Sequence, residues 1–183
     1  MTMQYDVKSS HLSSSGFLAL GNPTRLKQIT YNGNSSQAGN VNLFDTYTAP
    51  TTAVYQRTGT TITVTSTAHG LNTGAIVGIG FGISGGLSGT DGNYVITKTS
   101  DNAFTIADPN SGNTSGGIPC YYVVAYPTGN TINQYPQRWL CQFDTLAGVT
   151  GSQQVTVPGE GMVARNGMYA QMNYVGFVSI FYG

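Results

Sequence analysis

Charge is what this sequence has least of. Seven Lys and Arg and seven Asp and Glu make up 8% of 183 residues, where about 25% is usual. The cations Lys8, Arg25, Lys27, Arg57, Lys98, Arg138 and Arg165 are scattered. No run of them neutralises a series of phosphates, which argues against nucleic acid as a partner. A net charge of zero also removes the long-range repulsion that keeps soluble chains apart. Such a composition suits a component packed among neighbours better than a freely diffusing enzyme.

The catalytic residue types are equally sparse. Glu160 is the only glutamate and the aspartates are isolated, so no carboxylate pair for glycoside hydrolysis stands out. A polysaccharide hydrolase would have to draw on Asp91, Asp101 or Glu160. His11, in SSHLSSS with Asp6 upstream, supplies triad residue types without a nucleophile elbow, and polar strand-edge residues account for it. His69 sits in a turn, where bonds to nearby backbone groups give it a structural role. Cys120 and Cys141 lack a CxxC or a His cluster, so no metal pattern arises; they are expected as buried free thiols. No catalytic, cofactor-binding or metal-binding residues are assigned.

Long apolar runs are missing too. The longest, AIVGIGFGI, falls far short of the ~20 residues of a membrane span, and MTMQYDVKSS has no signal-peptide core. The expectation is a soluble protein assembled in a cytoplasm.

Helical periodicity is absent as well. Short alternating runs bounded by Gly, Asn, Pro and Asp recur instead, and the chain reads as all β. With 39% hydrophobic and 11% aromatic residues it has enough apolar surface to fold. Strands are expected at 4–9, 17–20, 25–32 and 41–47. In TTITVT, Ile62 and Val64 share one face while Thr61, Thr63 and Thr65 share the other. After the turn 68–74 come strands at 75–79, 93–99 and 103–108. PNSGNTSGG (109–117) reads as a linker. Further strands follow at 120–126, 137–144, 153–157, 162–165 and 168–172. The last, VGFVSIFYG, is apolar on both faces, with Phe177 and Phe181 on one side and Val178, Ile180 and Tyr182 on the other. It belongs in mid-sheet or against a partner chain.

Two glycine-rich motifs need testing against their chemistry. GFGISGG matches GxGxxG at Gly80, Gly82 and Gly85, but a phosphate site requires a helix to open there. The following GLSGTDGNYVI is a loop running into a strand, so the glycines are read as an exposed loop tip. DPNSGN (Asp108–Asn113) has the oxygen spacing of a calcium loop without its glycine or its terminal glutamate. It is read as a turn.

Aromatics are the strongest positive signal: 12 Tyr, 7 Phe and one Trp. Tyr121, Tyr122, Tyr126, Tyr135 and Trp139 cluster in sequence. Packing and subunit contacts use such residues more often than glycan sites do. The candidate interface residues are Tyr121, Tyr122, Trp139, Phe177, Phe181 and Tyr182.

Two stretches carry a resemblance. TGTTITVTSTAHGLNTGAIVGI, followed by GTDGNYVITKTSDNAFTI, resembles the small β-barrel module described as similar to the first catalytic cysteine half-domain of ubiquitin-activating enzymes, which recurs in virion proteins of tailed phages. The match covers about residues 56–108 and includes no activating cysteine. The flanks, YDVKSSHL with NPTRLKQITY and VPGEGMVARNGMYAQMNYVGFVSIFYG, are similar to small virion structural proteins of marine tailed phages, including those of cyanobacteria. The resemblance implies a β-sandwich or jelly-roll-like domain of residues 1–52 and 118–183, interrupted by a small barrel at 53–117. It further implies a non-enzymatic virion component, assembled in the host cytoplasm. The first expectation is a capsid decoration or cement protein that forms homo-oligomers and binds the major capsid protein. The alternative is a tail or fibre component whose inserted module meets a host glycan.

Overall fold

The computed structural model describes residues 7–20, 23–33, 36–83, 88–126 and 136–183. Fourteen strands and no helix occur among the described residues. The chain divides into two compact units: Met1–Tyr47 with Phe143–Gly183 form a flanking unit, and Thr48–Gln142 form a central one.

The flanking unit is a sandwich of two antiparallel sheets. In the first, β1 (Lys8–Leu12), β14 (Val175–Tyr182), β3 (Thr24–Gly33) and β11 (Ser152–Thr156) lie in that order, with β12 (Met162–Ala164) also on β3. The apolar C-terminal strand β14 is therefore central, paired to β1 and to β3. Its alternation decides its faces: Val178 and Ile180 are fully buried with Ile29 and Leu26, while Phe181 stays 39% exposed. Each such aliphatic burial contributes about 1.5–3 kcal/mol. The second sheet has the order β10 (Arg138–Thr145), β4 (Gly39–Asp45), β13 (Gly167–Asn173), β2 (Gly16–Leu20); of β10, only the part from Phe143 on is assigned to this unit. Every residue of β4 is buried, as expected of a strand with neighbours on both edges.

The central unit is built on one long ladder. β5 (Thr51–Thr65) runs antiparallel to β9 (Ala103–Tyr126), with register shifts at Tyr55/Arg57 and Gly59/Thr61. β6 (Ile76–Phe81) pairs with the last part of β9, β7 (Gly92–Val95) with β6, and β8 (Thr97–Ser100) with the first part of β9. In β5, Ile62 and Val64 are buried and Thr61 and Thr65 exposed, the alternation expected of TTITVT. The core joins these residues to Phe104, Ile106, Val77, Ile79, Phe81 and Ile96.

Three expectations need correction. The central sheet does not close into a barrel. Closure requires a consistent tilt and stagger around the ring, and the β5–β9 ladder is interrupted by two register shifts. PNSGNTSGG is not a linker: it lies inside β9, where Gly112, Asn113 and Thr114 pair with Gly59, Thr58 and Arg57. Backbone pairing to a long partner overrides the poor strand propensity of Gly, Asn and Ser. Because the strand runs on through Tyr126, residues 118–142 belong with the central unit, and the return to the flanking unit falls at 142/143.

Candidate functional site

Strand register builds a face on the flanking unit. Ser9, Phe181, Gln28 and Thr156 form one row across the sheet, His11, Ser179, Thr30 and Gln154 the next, and Phe177, Asn32 and Ser152 the third. The residues between them in β3 and β14, Ile29, Tyr31, Val178 and Ile180, point into the core. No charged side chain stands in these three rows. The His11 Nδ1 lies 2.7 Å from the Ser179 Oγ and its ring is 5.5 Å from that of Phe177. The Phe177 N–H donates to the Asn32 side-chain oxygen at 2.9 Å. Ser179 thus brings a hydroxyl to His11 but no nucleophile elbow. It sits in mid-strand, where Ser179 is paired to both His11 and Thr30. The backbone N–H groups around it serve the sheet ladder and form no oxyanion hole.

A different arrangement anchors the glycine-rich loop of the central unit. Arg57 and Asp108 are each 3% exposed and their side chains meet at 3.3 Å. The Arg57 guanidinium donates to the carbonyl of Ser88 at 2.7 Å and to that of Asn110. Asp108 accepts from the Thr90 N–H at 2.7 Å, the Thr90 hydroxyl at 2.9 Å and the Asn110 N–H at 2.8 Å. One foot of the loop is held by the Asp91 carboxylate, which accepts from the Phe81 N–H at 2.6 Å. The Tyr55 hydroxyl donates to the Gly82 carbonyl at 3.4 Å and accepts from the Gly89 N–H at 3.3 Å. Burial, then the negative charges of Asp108 and Asp91, push the Tyr94 hydroxyl up to about 12 against the opposing pull of Arg57.

These contacts answer both glycine-rich motifs. Asp108, first residue of the calcium-like DPNSGN, is occupied by Arg57, Thr90 and Asn110. No group of three His, Cys, Asp or Glu side chains comes together among the described residues. Of the GxGxxG glycines, Gly80 is buried opposite Tyr121 in the β6–β9 ladder, and Gly85 lies outside the described residues. Gly89 is present because space demands it: a Cβ there would sit 2.7 Å from Ile62 and 2.8 Å from Phe81.

The six candidate interface residues separate. Tyr122 is 2% and Tyr121 9% exposed. Tyr122 is held by a 2.9 Å bond between its hydroxyl and that of Ser66 and by edge-on packing against Phe104 at 5.6 Å. Tyr122 is therefore a core residue of the central unit, and neither ring offers an exposed platform. Trp139 is half-buried in β10, its backbone N–H donating to the Asn93 side-chain oxygen at 3.3 Å. Phe177 and Phe181 lie on the uncharged face. Tyr182 lines a cavity of about 100 Å³ with Lys8, Ala19, Leu20, Pro23, Thr24 and Gly183. Tyr135 falls outside the described residues.

His69 behaves as its turn position implied. Its Nδ1 accepts from the Leu71 N–H at 3.0 Å, leaving Nε2–H to donate to the Ser100 carbonyl at 3.0 Å. Cys120 and Cys141 are free thiols. Burial pushes the Cys120 thiol far up and the Cys141 thiol up to about 12, so neither is an activated nucleophile at neutral pH.

No protein-family model, no curated protein and no solved structure matches this chain.

Proposed function

We propose that the chain is a non-enzymatic structural component of a tailed-phage virion that decorates the capsid shell. The observation that carries this reading is the organisation into two β units, each with its own buried apolar residues, the central one running from after β4 into β10. A base assembled from both flanks can anchor to a shell while a self-contained insert is displayed. The low charge, the uncharged sheet face and the resemblance of the flanks to virion proteins support the same reading. The burial of Tyr121 and Tyr122 leaves those two rings no face for stacking on a glycan, which favours the shell reading over the fibre one.

The test is particle association. Purified protein is mixed with virions stripped of it, and the particles are reconstructed. Density for the chain at regular positions on the shell is the expected outcome. Protein that stays in the supernatant, or density confined to the tail, overturns the proposal.

A further inference from the structure

Cations that lie scattered along the sequence are gathered by the fold. The flanking unit holds four of them, Lys8, Arg25, Lys27 and Arg165. Lys8 opens β1 opposite Tyr182, and Tyr182 lies opposite Leu26, which stands between Arg25 and Lys27 in β3. Val163 of β12 is paired to Arg25, so Arg165, two positions on, stands at the same end of the sheet. With strands about 4.8 Å apart, each of these backbone positions has another within the ~10 Å over which charges act together at about 0.1 M salt. Lys8, Arg25 and Arg165 are exposed and Lys27 is half-buried.

Acids are scarce at this end. Asp144 belongs to the opposite one, next to Thr145, which meets Gly33 and Gly39. Asp45 is 1% exposed and receives the N–H groups of Arg165 and Asn166. Glu160 supplies the one exposed side-chain carboxylate here among the described residues, and the cations reach its backbone instead. Lys27 donates to the Glu160 carbonyl at 2.9 Å and Arg25 to the same oxygen at 3.4 Å. No ion pair forms at Lys8, Arg25 or Lys27 among the described residues. Four cations against one exposed acid leave positive charge for a partner to meet.

Beside Lys8 the surface is hollow. The cavity of about 100 Å³ that Lys8 shares with Leu20, Pro23 and Tyr182 has room for about three water-sized groups, the bulk of one carboxylate. Leu20 is 60% and Val7 66% exposed, which gives the cations an apolar margin.

We infer that this end of the flanking unit is a docking surface for an acidic segment of a partner protein. One acidic side chain of that segment enters the cavity toward the Lys8 ammonium. Others lie over Arg25, Lys27 and Arg165, while Leu20 and Val7 meet its apolar residues. Charge complementarity of this kind steers the encounter and fixes the orientation of the bound segment. A nucleic acid is the poorer fit, since the apolar margin offers nothing to a phosphate backbone. The inference is independent of the virion reading.

Fluorescence anisotropy tests it on the full chain, with a labelled peptide of alternating aspartate and alanine as the probe. Its counterpart with asparagine for aspartate and a single-stranded oligonucleotide of equal charge are the comparisons. The aspartate peptide is expected to bind, more weakly as salt is raised, and the asparagine peptide to stay free. Lys8→Gln, Arg25→Gln and Lys27→Gln should each weaken binding about threefold, and Lys98→Gln, in the central unit, should leave it unchanged. Circular dichroism confirms that each variant is folded. A chain that ignores the aspartate peptide overturns the inference. So does binding that Lys98→Gln weakens as much as the other three, or an oligonucleotide bound as tightly as the peptide.

Discussion

The two units solve the same problem, a β fold with few charges, by different means. The flanking unit buries Asp45 at its sheet end, where the N–H groups of Arg165 and Asn166 reach it at 2.9 and 2.7 Å. Two successive backbone donors meet that carboxylate, and the same unit buries the neutral polar side chains of Asn40, Asn42, Thr46 and Thr145 among its apolar residues. The central unit buries an ion pair, Arg57 with Asp108, across a ladder that shifts register on either side of it. A buried pair contributes less to net stability than its Coulomb energy implies. Its value lies in specificity: Arg57 finds Asp108, Ser88 and Asn110 together in one alignment of β5 with β9. The difference teaches that charge is buried where register is locally weakest, beside Gly59 and the polar middle of β9.

The sharpest way to break this comparison is to remove one partner. Arg57→Met or Asp108→Leu alone leaves an uncompensated charge and is expected to destabilise the central unit by about 3–5 kcal/mol. The double substitution recovers most of that loss. Urea unfolding followed by Trp139 emission, which reports on the central unit, measures both. Singles that cost under about 1 kcal/mol would show the pair to be dispensable. In the flanking unit Ile180→Ala is expected to cost about 2–5 kcal/mol and to move the far-ultraviolet dichroism transition more than the Trp139 transition. Equal movement of the two probes would mean that the units unfold as one.

Alkali sharpens the contrast further. Tyr94 and Cys141 both belong to the central unit, and each has its proton held up to about 12 against ordinary values of 10.0 and 9.0. The folded state favours their neutral forms, so their contribution is complete below the ordinary values and is lost as pH rises through about 12. Thermal unfolding monitored by Trp139 should fall in midpoint between pH 9 and 12; an unchanged midpoint across that range would contradict the assignment. A smaller effect is expected from His69→Ala, which removes the turn bonds to Leu71 and Ser100. About 1–2 kcal/mol should be lost from the central unit alone, as read by urea titration. Smallest of all, Phe181→Ser should leave monomer stability within about 0.5 kcal/mol, since the ring is partly in solvent.

Much of the strand pattern was legible because alternation is local. Ile62 and Val64 announce a buried face, and the two-sided apolarity of 175–182 announces a strand with neighbours on both edges. What alternation does not encode is which strand lies next to which, so the Gly and Asn tract inside the 24-residue β9 reads locally as a break. The ion pair is illegible for a different reason: a charge taken as an isolated residue carries no sign of its partner. The signal was present in the parity. Ala53, Tyr55 and Arg57 fall on the inward side of β5, and Phe104, Ile106 and Asp108 on the inward side of β9. A charge at an inward position calls for a partner, and the two runs each end on one.

The central position of β14 has a consequence for timing. The Phe177 N–H and the Asn32 side chain that receives it are 145 positions apart, and β1 and β3 face each other only through that strand. At about 5–20 residues per second, a ribosome that has finished β3 needs on the order of 10 s to supply the strand that completes its sheet. During that interval β3 carries an open ladder edge, while the contiguous central unit is free to form. Synthesis therefore leaves the flanking half as the one that chaperones or early self-association will reach first.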